Sequence, residues 1–459
     1  MHLSRFDRSF SRRKFLRDAG RGVLSTGVLM PLWEAVAETG DTSKAYPDEL
    51  LSIENYTRGK IKNGDHITDK NVEHVKDLLE PIRYQQILTQ GRRLKMVPST
   101  TDIMRTSPWE YLEATLSNAG KARFDENGNV VAPDGKQWIG GNPFPDPKSG
   151  LELFAAQTLS WGRHDASFYA VTMKEVERSG KIKYQYAGGW AELSPVARVV
   201  MEPKPYWPGH EDKLRYQSVF FTDPYTYRGT SFLNVWNYDH STFPHLYGYV
   251  PEFRRIRQFP SEQRFEPLLP GLSLYLSDAW AAGDPLHTWS NYKIIHRGPF
   301  LAGVSQGWNS EHENWEHGTH GGPNDDTFWD TSVELIPEAI VVEAQPTGFP
   351  RAPVSKKHVW FDARNQVVIG MVTYDRRGEP FRSFDGAYGL YEAGDKNVMD
   401  GKHPYWSWAH VTASNIQTGS TLRLEQVRQI EDSYFSKAND PTMYDEFLTQ
   451  GALMKLGSA

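Results

Sequence analysis

Residues 357–379 read KHVWFDARNQVVIGMVTYDRRGE. Two runs rich in β-branched and aromatic residues flank turn formers at Ala363–Gln366, and a second turn follows at Asp375–Gly378. This is a hairpin leading into a further strand. Upstream, SFYAVTMKEVE (167–177) and KIKYQYAGGWAEL (181–193) repeat the design around RSG. KLRYQSVFF (213–221), SFLNVWNYD (231–239) and HLYGYV (245–250) follow at short intervals. In GLSLYLSD (271–278), Leu272, Leu274 and Leu276 fall on one face and Ser273, Tyr275 and Ser277 on the other. Such alternation predicts an antiparallel sheet with one buried face. Downstream, YWSWAHVTASNIQTGSTLRLEQV (405–427) supplies more strand before a short helical tail.

The rest of the chain decorates this sheet. Residues 67–91 have helical spacing at Val72, Val75, Leu78 and Leu79, with Thr68 or Asp69 as cap and Pro81 bending or ending the helix. Residues 97–150 are dense in Gly, Pro, Asn and Asp and predict an ordered loop with one hairpin. The expected fold class is mainly β, a β-rich α+β arrangement with helices mostly at the ends. Residues 38–459 are expected to form one such domain, with a loop-rich insertion around 97–150 and a polar His-rich loop around 307–330.

The first 37 residues have another purpose. Arg12 and Arg13 sit in SRRKFL, a moderately apolar run follows, and Ala35 and Ala37 form an A-x-A site. The pattern predicts a twin-arginine (Tat) signal peptide, handling by the Tat translocase, cleavage after Ala37 and a soluble periplasmic product. The 459-residue chain has a formal charge of −6. Removing residues 1–37, with seven Lys/Arg and three Asp/Glu, takes it to −10. That balance argues against general nucleic-acid binding. The absence of cysteine removes disulfides, thiolate metal sites and thiol nucleophiles. There is no G-x-S-x-G elbow, Walker A loop or dinucleotide fingerprint.

Two clusters invite a functional reading. HENWEHGTHGG (312–322) offers His312, Glu316, His317 and His320. The H-E-x-x-x-H spacing fails the zinc-protease pattern, and Gly318, Gly321 and Gly322 point to a loop. A loop could still hold a metal through these four side chains, and no cofactor is otherwise called for. EFRRIRQF (252–259), read as a regular strand, puts Phe253, Arg255, Arg257 and Phe259 on one face and Arg254 with Ile256 on the other. Guanidiniums beside aromatics suit an anionic headgroup or a partner's carboxylates. Alternatively they pair with Glu252 or Asp278 across the sheet.

Five stretches taken in order carry a resemblance: YRGTSFLNVWNYD (227–239), YGYVPEFRRIRQF (247–259), YLSDAW (275–280), AIVVEAQP (339–346) and YDRRGE (374–379). Together they resemble the bacterial domain-of-unknown-function family numbered 1329, over most of residues 38–459. HSTFPH (240–245) and the 307–330 loop stand outside it. The resemblance implies a fold of the LolA/LolB lipoprotein-carrier type: a large curved antiparallel sheet, an open half-barrel, with helices on its apolar concave side. It further implies a lipid-like or other apolar ligand, an RND-type exporter and an outer-membrane partner. Trp236, Asn237, Tyr238, Tyr249, Arg254, Arg255, Arg257, Asp278, Asp375 and Gly378 are the family-motif positions and candidate ligand or partner contacts. The expectation is thus a periplasmic carrier or accessory protein without catalytic residues. The alternatives are a metal-dependent periplasmic hydrolase built on His312, His317 and His320, and an envelope component that binds only proteins.

Overall fold

The computed structural model describes residues 50–457 apart from 103–104, 161, 261–264, 276–277, 279–283, 306–307, 309–311 and 392–404. The signal region with Arg12, Arg13, Ala35 and Ala37 lies outside the described residues.

Thirteen strands make up most of a single large sheet. In chain order they are β1 (Ala166–Val176), β2 (Ile182–Leu193), β3 (Lys213–Asp223), β4 (Ser231–Asn237), β5 (His245–Val250) and β6 (Arg255–Phe259). They continue with β7 (Trp289–Val304), β8 (Ser332–Pro346), β9 (Val354–Asp362), β10 (Val368–Asp375), β11 (Pro380–Leu390), β12 (Trp406–Asn415) and β13 (Ser420–Val427). Their order is β8-β9-β10-β11-β12-β13-β1-β2-β3-β4-β5-β6, so the C-terminal half joins the N-terminal half through β13 and β1. The predicted hairpin is β9–β10. Gln366 takes a left-handed φ of 59° in its turn. At the next turn Asp375 Oδ1 accepts from the amides of Arg377 and Glu379, and Gly378 supplies φ +84°.

The sheet departs from pure antiparallel pairing in two places. Ser332–Val333 pair in parallel with Lys95–Met96, and Gly303–Val304 with Ala387–Tyr388. Because β7 also lies along β8, strands β7 to β11 close on themselves. Phe300, Ile336 and Ile369 fill that corner, with Trp360 packed against them.

Several helix expectations need correction. Residues 67–91 do not form one helix. A 3₁₀ turn at Val72–Leu78, kinked at Val75, precedes α1 (Pro81–Gln90). Pro81 therefore starts a helix, where its missing N–H costs nothing, and Glu80 is the cap. The 97–150 segment contains α2 (Trp109–Asn118) and a hairpin pairing Arg123–Phe124 with Val130–Val131. The helices are not confined to the ends. α3 (Gly150–Leu159) lies mid-chain, and from Leu153 to Leu159 every residue is buried. Its sequence GLELFAAQTL is apolar nearly all round, so no amphipathic stripe marks it. Gly150 opens α3 where a Cβ would come within 2.6 Å of Val342 Cγ1 and 3.1 Å of the Tyr292 backbone. α4 (Met443–Phe447) and α5 (Gln450–Leu456) pack beside β2, β4 and β5.

Candidate functional site

The inner face of the sheet is the expected ligand surface, and the protein fills it from within. Leu153, Phe154 and Leu159 of α3 lie on it with Val359 and Phe361 of β9, Met371 of β10 and Phe384 of β11. Phe154 meets Phe361 edge-on at 5.2 Å and Tyr292 at 4.9 Å. Lys357, although 1% exposed, lays its ammonium 3.8 Å from the Trp289 ring centroid and 5.0 Å from that of Phe154.

Residues 265–275 form a strap across the rest of this face. Leu268, Leu269, Leu272 and Leu274 are buried in the same core as Tyr169, Trp190 and Trp408. GLSLYLSD is thus not a sheet strand. Leu276 and Ser277 lie outside the described residues. The strap folds on itself, with Pro267 bridged to Tyr275 and the Leu268 amide donating to the Leu274 carbonyl at 2.8 Å. Between strap and sheet remains a void of about 10 Å³, bounded by apolar atoms of Tyr169, Trp190, Leu274, Phe384, Trp408 and Leu424. That is room for one water and far too little for an acyl chain.

Two buried polar contacts tether the strap. Glu175 of β1 accepts from the Ser273 amide at 3.1 Å and from its hydroxyl at 2.6 Å. Asp278 accepts from the Tyr275 amide at 2.7 Å and is ion-paired with Arg382 of β11, whose guanidinium lies 3.7 Å from the Tyr275 ring centroid. Burial raises both carboxyls above their ordinary pKa, Asp278 despite Arg382 beside it. Asp278 therefore does not serve the arginines of EFRRIRQF.

The outer face over strands β11 to β13 is the opposite in chemistry, whereas over β1 to β3 it is again apolar, with Phe168 and Phe220 stacked against Phe447 of α4. Asp385 of β11 takes a bidentate contact from Arg92, at 2.7 and 3.0 Å, and lies 3.4 Å from Arg83 of α1. Burial pushes the Asp385 carboxyl up, but Arg92 and Arg83 outweigh it and hold it below the ordinary value. Gln86 joins Arg92 to Ser414 of β12. Glu80 accepts from the amides of Ile82 and Arg83, and burial raises its pKa to about 7.

The His-rich loop belongs to this outer layer. His312 and Glu316 are exposed, His317 is half-buried and His320 is buried. Among the described residues no three His, Cys, Asp or Glu side chains are arranged to hold a metal. The four candidates are used separately. His320 Nε2 accepts from the Arg93 amide at 2.8 Å, and burial lowers its pKa to about 4. His317 stands between Glu425 and Ser305, each at 3.4 Å, with its amide also donating to Glu425 at 3.0 Å. This looks like a Ser-His-Glu relay, but both ring contacts are longer than ordinary hydrogen bonds. Glu425 also accepts from Thr172. The group fastens the loop to β13. The glycines have a packing purpose: a Cβ on Gly321 would come within 2.6 Å of the Gly91 carbonyl oxygen, and the Gly322 amide donates to Gln90 at the end of α1.

The remaining motif positions divide between core, turn and edge. Trp236 is fully buried. Asn237 accepts from Lys213 at 3.0 Å, and the Tyr238 hydroxyl accepts from the Trp138 amide at 2.8 Å. Tyr249 packs with Leu233 and Leu453. EFRRIRQF is not a regular strand throughout. Pro251–Phe253 form a 3₁₀ turn, Arg254 is left-handed at φ 48°, and only Arg255–Phe259 pair, against β5. Arg254, Arg255 and Arg257 are all exposed, and Arg257 lies 4.2 Å from the Phe253 ring centroid. The tethers Glu175–Ser273 and Asp278–Arg382 carried no sequence signal, because each joins residues about a hundred positions apart.

Among the described residues no helix is long and apolar enough to cross a membrane. No curated protein matches the sequence. Several solved structures are similar to it. A DUF1329 family protein from Desulfovibrio piger aligns at 12% identity over 66% of this chain and 97% of its own, with a TM-score of 0.43. A putative outer membrane lipoprotein-sorting protein domain from Vibrio parahaemolyticus aligns at 14% identity over 67% and 98%, with a TM-score of 0.41. A LolA superfamily protein from Nitrosomonas europaea aligns at 11% identity over 63% and 99%, with a TM-score of 0.35. The model of the family described as "Protein of unknown function (DUF1329)" matches residues 66–453, which bears out the resemblance drawn from YRGTSFLNVWNYD to YDRRGE, and the chain belongs to that family.

Proposed function

We propose that this protein carries a lipid-like or other apolar ligand on the inner face of its sheet, in the place now taken by the leucines of the strap. The observation behind this reading is the strap itself. Leu268, Leu269, Leu272 and Leu274 cover the centre of the face with short aliphatic side chains, and the tethers Ser273–Glu175 and Asp278–Arg382 hold them there. An alkyl chain offers the sheet the same chemistry as these leucines. Each methylene it buries contributes about 0.8 kcal/mol, which offsets the burial the strap leucines lose, while the Asp278–Arg382 pair beyond Tyr275 stays closed. A small free void fits a face that is occupied by its own strap when empty of cargo.

The same reading puts the protein in the periplasm after removal of residues 1–37, next to an RND-type exporter and an outer-membrane partner. Its support is the SRRKFL leader pattern and the family membership. Native mass spectrometry of protein released gently from the periplasm is the test. An added lipid-sized mass is expected. A bare mass, with no binding of acyl or sterol probes, would remove the reading.

A further inference from the structure

The ends of the strands differ in charge. Hairpins β1–β2, β3–β4 and β5–β6 are consecutive in the sheet, and their tips lie at the same end, as the registers Val176–Ile182, Phe220–Ser231 and Val250–Arg255 require. Residues 177–183, 223–228 and 251–257 contain seven Lys/Arg and three Asp/Glu. Two of the cations are already paired, Lys183 with Glu177 at 3.4 Å and Arg228 with Glu431 at 3.0 Å. Arg178, Lys181, Arg254 and Arg255 are exposed and have no acidic partner among the described residues, and Arg257 lies on the ring of Phe253. The opposite end is acidic: the connections 194–212 and 238–244 hold four Asp/Glu and two Lys/Arg, of which Arg198 is buried.

The basic tips also carry exposed apolar side chains. Tyr225 is 87% exposed, Phe253 50% and Ile182 36%. In a chain with formal charge −6, cations gathered at one end beside uncovered aromatics form a distinct surface. Aromatic rings with cations beside them suit the boundary between lipid headgroups and acyl chains, where the ring enters and the cation stays with the phosphates. A protein partner with a preformed interface would more naturally call for a flat, apolar patch with a polar rim.

We infer that the tips of these three hairpins dock on an anionic bilayer surface, with Arg178, Lys181, Arg254 and Arg255 meeting lipid phosphates and Tyr225 and Phe253 entering the headgroup layer. This goes beyond the carrier reading and does not depend on what the inner face holds. It orients the molecule with its acidic connections away from the membrane.

Sedimentation of the full chain with vesicles tests it. The protein is expected to sediment with phosphatidylglycerol vesicles, not with phosphatidylcholine vesicles, and to be released by high salt. R254E/R255E/R257E is expected to lower the partition coefficient at least about tenfold, whereas K204E at the other end leaves it unchanged. All four positions are exposed, so each variant is checked for an unaltered melting curve first. Y225S/F253S is expected to lower the salt concentration at which the protein is released. Failure to sediment with phosphatidylglycerol, or sedimentation that the triple charge reversal leaves intact, overturns the inference.

Discussion

The inner face of the sheet and the part of the outer face over β11 to β13 bury their side chains by opposite means. On the inner face, leucines and aromatics meet α3 and the strap, and the polar groups, among them Glu175, Glu192, Arg215, Gln217, Asn234, Lys357 and the Asp278–Arg382 pair, are set singly among them. On the outer face, Arg83, Arg92, Asp385, Gln86 and the loop histidines form a polar layer between α1 and strands β11 to β13, interrupted by a cleft of about 720 Å³ lined by Gln86, Gln90, Gly322, Asp325 and Ser414. The difference is in exchangeability. Apolar contacts are non-directional, so another apolar body can replace the strap. A hydrogen-bonded charge layer accepts no such substitute, because any displaced partner leaves a buried charge behind. A surface meant to change occupant is best built the first way, and a layer meant to keep its partners the second.

The largest expected effect comes from breaking the closed face. D385N removes the carboxylate that Arg83 and Arg92 share, and should cost about 3–5 kcal/mol in urea unfolding. A loss below about 1 kcal/mol would mean that the outer layer is as forgiving as the inner one. Next come L272A and L274A in the strap, each expected to cost about 2–4 kcal/mol. Unlike D385N, they should also tighten binding of an acyl-chain probe. Probe binding equal to that of the unaltered protein would separate the strap from the ligand surface.

A smaller effect follows from His240, buried with a pKa held down to about 4 by loss of water. The unfolded chain protonates this ring near 6.5. Stability from keeping it neutral is therefore fully present above pH 6.5 and is lost as pH falls toward 4. Between pH 7.5 and pH 5 the loss is about 2 kcal/mol, and H240N should flatten the stability profile by that amount. An unchanged slope in H240N would place the acid sensitivity in His320 and His410, whose rings burial also keeps neutral. Smallest of all, R254E/R255E/R257E should alter stability by less than about 0.5 kcal/mol, since these side chains support neither face.

The sequence reading was strongest where the physics is local. β9, β10 and the turn between them follow from alternation and from Asn365–Gln366, and YVPEFRRIR lies at a sheet edge as a strand–turn–strand. It was weakest where partners are distant. Arg92 and Asp385 are 293 positions apart, and nothing near either one announces the other. α3 has no sequence signature because burial on all sides removes the amphipathic period. The glycines of HENWEHGTHGG mark it as a loop. Its histidines read as one cluster only because they are close in sequence. In the fold His317 turns to Glu425, His320 to the Arg93 amide, and His312 to solvent.

The central claim is that ligand and strap compete for one surface. Titration of the unaltered protein with a long-chain acyl probe, followed by amide hydrogen exchange, tests it most directly. The account predicts saturable binding at one site, together with faster exchange at the amides of Leu268 and Ser273, whose bonds to Leu274 and Glu175 must open. Absence of binding, or binding that leaves both amides as protected as before, would contradict it.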